Sequence, residues 1–273
     1  MGAVITLTTD FGLADAYVAA VKGVILGINP GVTLVDISHA IRPQDIGQAA
    51  FVLGTAYESF PHGTVHVAVV DPGVGTGRRA VILKTPGGSF VAPDNGVLSY
   101  VIQRYSTGAP EGNALAARLG EGAEAVAITT ARFWRTPVSA TFHGRDIFAP
   151  VAAHLSLGVP LADFGKKIDT LAVLPLPRPR READGSLVGQ VIHVDSFGNL
   201  ITNIRSADLP RPTASLTVEV GNKVIRGLSR TYRDGGGLLA LVGSSDRLEI
   251  SLPEGDAAAF LRVGAGDGVI IRK

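Results

Sequence analysis

Cysteine occurs nowhere in these 273 residues. That absence excludes disulfides, thiolate nucleophiles and cysteine-based zinc sites. An excess of charge is also missing: 25 Lys and Arg stand against 24 Asp and Glu, a formal net charge of +1. Nothing here gives a polyanion such as DNA or RNA an electrostatic footprint, so no nucleic-acid partner is expected. No apolar run approaches the roughly 18–20 residues that cross a bilayer. The N-terminus also lacks the basic stretch that opens a secretory signal. A protein with no membrane partner, working in the cytoplasm, is expected. His, Asp and Glu do not fall at metal-ligand spacings, so no metal is expected.

What is present is a well-buried chain. Hydrophobic residues make up 46% and charged residues 18% of it, a balance that favours compact domains. The length suits two of ordinary size. AVITLTTD reads as a buried strand, and FGLADAYVAAVKGVILGI has helical spacing. VTLVDIS is a second strand, and DIGQAAFVLGTAYESF is a helix stopped by Pro61 and Gly63. HVAVV, AVILKT and SFVAP follow as strands, then NGVLSYVIQRY and DIFAPVAAHLSLG as helices. The expected fold class is α/β, with a central sheet flanked by helices over residues 1–173. Residues 174–186, rich in proline and arginine, read as a linker. Short β runs fill 187–273, and a smaller antiparallel barrel-like domain is their natural closure.

DPGVGTGRR, residues 71–79, carries three alternating glycines without being a nucleotide loop. It lacks the lysine–hydroxyl pair of a P-loop and the G-x-G-x-x-G spacing that opens a dinucleotide-binding helix. Apolar β runs flank it on both sides, so its glycines serve close backbone approach. Its chemical content is Asp71, Arg78 and Arg79. Asp10 ends the first strand, either as a helix N-cap or as a carboxylate at the sheet edge where α/β proteins bind ligands. His143, in TFHGRDIFAP, stands before a helix, where the local dipole favours neutral imidazole. It is either a structural hydrogen-bonder or a proton acceptor. Asp195 and Asn199 bracket DSFGN, and Ser245 lies in GSSDRLEIS. Turn chemistry alone accounts for both segments.

Taken in order, TTDFGLADAYVAAVKGVI, VDISHAIRPQDIGQAAFVL, VVDPGVGTGRRAV, APDNGVLS, TFHGRDIFAPVAAHLSLG, VDSFGNLITNI and GSSDRLEIS resemble one family. It is the adenosine-forming S-adenosylmethionine hydrolases, or hydroxide adenosyltransferases, relatives of the fluorinases and chlorinases. The resemblance covers essentially the whole chain. It implies attack of water or hydroxide on C5′ of S-adenosyl-L-methionine, giving adenosine and L-methionine. S-adenosylmethionine is then substrate, and no cofactor is implied. A homotrimer is implied, each site lying between the N-terminal domain of one subunit and the C-terminal domain of the next.

Matched by motif, the catalytic set falls on Asp71, Arg78 and His143. Asp10 matches a ribose-binding aspartate and Phe142 an aromatic beside the reacting centre. Asp195 matches a residue holding the methionine amino group, Asn199 a contact to adenine or neighbouring polar groups, and Ser245 a contact to the amino-acid end. Asp246 departs from the arginine of the halogenating branch. Fluorinases resemble this chain but carry Tyr-Ser at His143-Gly144, tyrosine at Asp71 and tryptophan at Gln44. A carboxylate beside the nucleophile repels halide and favours water, which has a proton to give. Hydrolysis is therefore expected over halogenation or binding without turnover. Asp71 and His143 would orient and deprotonate the water, with Arg78 stabilising developing hydroxide. Which of the two is the base stays open at this point.

Overall fold

The computed structural model describes residues 2–107, 115–234 and 236–273. The chain divides into two compact units, Met1–Pro175 and Leu176–Lys273. In the first, the elements run β1 (Val4–Thr9), α1 (Tyr17–Ile28), β2 (Thr33–Ser38), α2 (Ile46–Ala56), β3 (Val65–Val69), β4 (Ala80–Thr85) and β5 (Gly88–Pro93). Then come α3 (Ser99–Ile102), β6 (Ala116–Arg118), β7 (Glu124–Ile128), α4 (Ala149–Ser156), β8 (Gly165–Ile168) and β9 (Thr170–Ala172). Seven strands form one mixed sheet in the order β2-β1-β3-β5-β4-β7-β8. The β1–β2, β1–β3 and β3–β5 pairs are parallel, whereas β4 runs antiparallel to β5 and β7.

Alternation along the strands splits the core between the two faces. Ile5, Leu7, Val65, Val67, Val69, Ile82 and Val91 pack on one side with α1 and α4 residues such as Val21, Ile25 and Val151. Ala68, Val81, Leu83, Phe90 and Ala92 pack on the other with Leu53 and Val101 of α2 and α3. The expected α/β architecture is what is observed.

Two helices depart from the sequence reading. NGVLSYVIQRY yields only the four residues of α3. Asn95 folds its side chain onto Val70 O and Val97 N, and the chain leaves the helix through i→i−3 bonds from Arg104 and Tyr105. DIFAPVAAHLSLG becomes α4 only from Ala149, after a π-helical turn over Gly144–Phe148. Pro150 explains this, because it has no N–H for the carbonyl four residues back. That carbonyl, Asp146 O, instead accepts from Arg135 N at 2.9 Å.

The second unit contains β10 (Arg180–Arg181), β11 (Leu187–Val194), β12 (Leu200–Arg205), β13 (Thr217–Val220), β14 (Lys223–Arg226), β15 (Leu239–Val242), β16 (Arg247–Ser251), α5 (Ala257–Leu261) and β17 (Gly268–Arg272). Its strands form an antiparallel, barrel-like sheet in the order β14-β13-β17-β11-β12-β16-β15, with β10 on β11. Leu187, Val191, Leu200, Val218, Leu248 and Ile271 are among the residues of its core. The proline- and arginine-rich stretch therefore includes one short strand. Among the described residues, no helix is long and apolar enough to cross a membrane.

Candidate active site

The register of two parallel strands creates the site. Thr9 pairs with Val69 at the matched C-terminal ends of β1 and β3. Asp10 and Asp71 therefore leave the sheet at one edge, where α/β sheets present ligand-binding residues. Asp10 is not an N-cap: α1 begins at Tyr17 behind Ala16, which makes no side-chain cap. Its Oδ2 accepts from Gln44 N at 2.8 Å and so braces Gln44, a non-glycine residue at φ 66°.

The 71–79 loop is closed by Val74 N on Asp71 O and by Thr76 N on Gly73 O, each at 3.1 Å. Gly75, at φ 77°, passes so close to the 138–142 segment that a Cβ there would lie 2.5 Å from Ala140 O. The glycine thus admits the neighbouring backbone that leads into His143.

Arg78 joins the loop to that backbone. Its Nε donates to both Asp71 oxygens at 2.9 Å, and its Nη2 donates to Asp71 Oδ2. The same Nη2 lies 2.9 Å from His143 Nδ1. Phe148 supports the guanidinium, with its ring centroid 5.2 Å away. A guanidinium can only donate, so His143 Nδ1 accepts and the neutral ring carries its proton on Nε2. Burial and then the Arg78 charge hold the imidazole below its ordinary value of 6.5, against the carboxylates of Asp71 and Asp146. Arg79 turns elsewhere: Nε donates to Asp94 at 2.7 Å and Nη2 to Thr170 O at 3.0 Å.

A cleft of about 510 Å³ opens here, with Asp10, Phe11, Tyr17, Asp71, Phe142 and His143 in its walls. This is the size range of small-molecule sites. Phe142 meets Phe11 and Tyr17 edge-on at 5.8 and 5.2 Å between centroids, and Arg145 lies over its ring at 5.1 Å. The first unit thus brings together Asp10, Asp71, Arg78, Phe142 and His143, all singled out in the sequence. Phe11 and Tyr17 were missed. The available signal was Tyr17 itself, an aromatic opening a helix, which the fold leaves 49% exposed.

The remaining expected residues belong to the second unit. Asp195 Oδ1 accepts from Phe197 N and Asn199 N, and Asn199 Nδ2 donates to Asp195 Oδ2, all at 2.9 Å. This pair builds the β11–β12 turn, as turn chemistry requires. Ser245 is half-buried in the β15–β16 turn. There Asp246, at φ 58°, accepts from Ser206 Oγ. Among the described residues, no three His, Asp or Glu side chains gather into a metal site.

The sequence matches the SAM hydroxide adenosyltransferase N-terminal domain over residues 5–165 and the C-terminal domain over 189–270. The chain belongs to the SAM hydroxide adenosyltransferase family. Within reach of this family, it is 42% identical to the (R)-S-adenosyl-L-methionine hydrolase of Salinispora tropica over 267 residues, 96% of this chain and 95% of that protein. It is 30% identical to the fluorinase of an Actinoplanes species over 234 residues, 76% of this chain and 74% of that one. The crystal structure of an uncharacterized conserved protein from Thermotoga maritima superposes with a TM-score of 0.86 at 38% identity, covering 98% of this chain and all of that one.

Proposed function

We propose that the protein hydrolyses S-adenosyl-L-methionine to adenosine and L-methionine, with Asp71 as the base. The observation that carries this reading is that Asp71 and His143, both in the wall of the cleft, are joined by Arg78. Water attacks C5′, the C5′–S bond breaks, and sulfur leaves with its electron pair as the neutral thioether of methionine. One water proton must be taken up, and the nucleophile must be held in line. The leaving group needs no acid and no Lewis acid, so neither metal nor cofactor has a step to perform.

His143 is the weaker base because Arg78 already occupies its free lone pair. Asp71 Oδ1, which among the described residues accepts only from Arg78 Nε, retains lone pairs for a water proton. His143 Nε2–H donates to the water oxygen and turns its other lone pair toward C5′. Arg78 fixes both partners and offsets charge as hydroxide develops.

Asp10 takes the ribose hydroxyls, and Phe142 lies beside the reacting carbon. Asp195 holds the methionine ammonium, Asn199 the adenine side and Ser245 the amino-acid end. These roles rest on likeness to the family. A cytoplasmic homotrimer, with the last three residues supplied to each site by a neighbouring subunit, completes the reading.

The test is turnover of S-adenosylmethionine in ¹⁸O-water with and without chloride, with products resolved by mass spectrometry. Adenosine labelled at its 5′ oxygen with one equivalent of methionine is expected. A halogenated nucleoside, or intact ligand retained by the protein, would refute hydrolysis.

A further inference from the structure

One polar network, buried at Thr9 and His39, reaches the backbone of Phe11 in the cleft wall without any role in the scheme above. Thr9, 1% exposed, ends β1, and His39, 6% exposed, follows β2. Thr9 Oγ1 and His39 Nδ1 are 2.8 Å apart. His39 Nε2 lies 3.0 Å from Asp36 Oδ1, off the line of a well-formed hydrogen bond. Asp36 Oδ2 accepts from Lys22 Nζ at 2.6 Å.

Chemistry gives this chain a direction. A carboxylate facing Nε2 repels a lone pair there, so Nε2 carries the proton and Nδ1 accepts. The Thr9 hydroxyl must then donate to Nδ1, which leaves its oxygen to accept from Phe11 N at 3.3 Å. His39 also offers its own carbonyl to Gly12 N at 2.8 Å. The amides of Phe11 and Gly12, immediately after Asp10, are thus both tied to Thr9 and His39.

We propose that His39, oriented by Asp36, is a positioning residue that fixes segment 9–12 and with it the Asp10 carboxylate and the Phe11 ring. The inference rests on the reading of Asp10 as the ribose acceptor. It assigns His39 to affinity for the nucleoside half of the substrate and not to the chemical step.

Three variants separate the parts. Thr9→Val keeps side-chain shape and removes the hydroxyl. His39→Asn keeps an acceptor where Nδ1 stands, whereas His39→Gln reaches only the Nε2 position. Adenosine binding by calorimetry and steady-state kinetics with S-adenosylmethionine are measured on the full-length protein. Thr9→Val and His39→Gln are expected to weaken adenosine binding and raise KM by about tenfold, with kcat within about threefold of wild type. His39→Asn is expected to bind adenosine nearly as wild type does. Unchanged adenosine affinity in all variants, or loss of kcat with KM intact, would overturn the positioning role while leaving the hydrolase reading standing. Failure of the wild-type protein to turn over S-adenosylmethionine would overturn both.

Discussion

Replacing Asp71 by Asn tests the assignment of the base most directly. The change is nearly isosteric, yet an amide places N–H groups where Arg78 Nε and Nη2 now donate. Two effects follow. Loss of a general base slows such reactions by about 10²–10⁴-fold. Breaking a buried ion pair, here with side chains 5% and 11% exposed, costs about 3–5 kcal/mol. The second effect lowers the melting temperature, whereas the first persists at saturating substrate well below it. We expect kcat to fall about 10³-fold in Asp71→Asn. His143→Gln, which keeps a donor at the Nε2 position but loses the acceptor for Arg78, should fall only about 10–100-fold. Adenosine release followed by chromatography gives both rates. The reverse order, with Asp71→Asn retaining more than about a tenth of kcat and His143→Gln inert, would make His143 the base and refute the tautomer argument. The pH profile adds a second check. Burial and the Arg78 charge hold the His143 pKa below that of a free imidazole, so its protonation sets in at lower pH than a free histidine's would. Wild-type kcat should therefore keep its plateau as pH falls from 8 to 7, and an acid limb in that window that disappears in His143→Gln would contradict the assignment.

Two further expectations concern groups outside the chemistry. His66 is fully buried and stacked on Phe90, with Nδ1 on Thr6 Oγ1 at 2.8 Å, and burial pushes its pKa down to about 4. Between the unfolded value near 6.5 and about 4, the unfolded chain binds a proton that the native state does not. Stability should therefore drop as pH falls through this window, by on the order of 3 kcal/mol at its lower end. Urea unfolding at pH 7 and 4.5 measures the drop, and His66→Phe should remove it. Arg79 bonds to Asp94 and Thr170 O instead of the site residues, so Arg79→Ala should lower the melting temperature and leave kcat within about twofold. A hundredfold loss of kcat at unchanged fold would show that the second arginine acts in the chemistry.

The sheet edge was legible because strands ending in Asp10 and Asp71 could be read from apolar runs followed by an acid. The motifs likewise named His143. Their meeting was not legible, because it depends on the β1–β3 register and on Gly75 admitting Ala140 O. Spacing along the chain carries neither. Asp10 kept two readings until the structure started α1 at Tyr17. The late start of α4 was signalled by Pro150, whereas the partner for the freed carbonyl, Arg135 N, comes from a loop that no periodicity foretells. His39 was not singled out in the sequence. Its significance lies in which atoms face Thr9 and Asp36.

Repulsion between a carboxylate and a halide is also too simple as the source of nucleophile choice. Asp71 is in contact with Arg78, so the pair presents little net charge and much of that repulsion cancels. Donors and acceptors decide instead. A halide that sheds its hydration needs hydrogen-bond donors aimed at it. Arg78 Nε and Nη2 are committed to Asp71 and His143, and Gly144 brings no side chain. Water needs one acceptor for its departing proton and one donor to orient it, which on the proposed reading Asp71 and His143 Nε2–H would supply. Gly144→Ser would add a hydroxyl, but its Cβ would stand 3.1 Å from Phe11 Cζ and 3.4 Å from Phe142 Cε2. The aromatic wall would have to yield by a few tenths of an ångström, and the Asp71 acceptor would still be present. Gly144→Ser in high chloride should therefore release slower but unhalogenated adenosine. Formation of 5′-chloro-5′-deoxyadenosine by this single variant would show that one added donor outweighs the carboxylate, and that hydrogen-bond matching at Asp71 does not set the nucleophile.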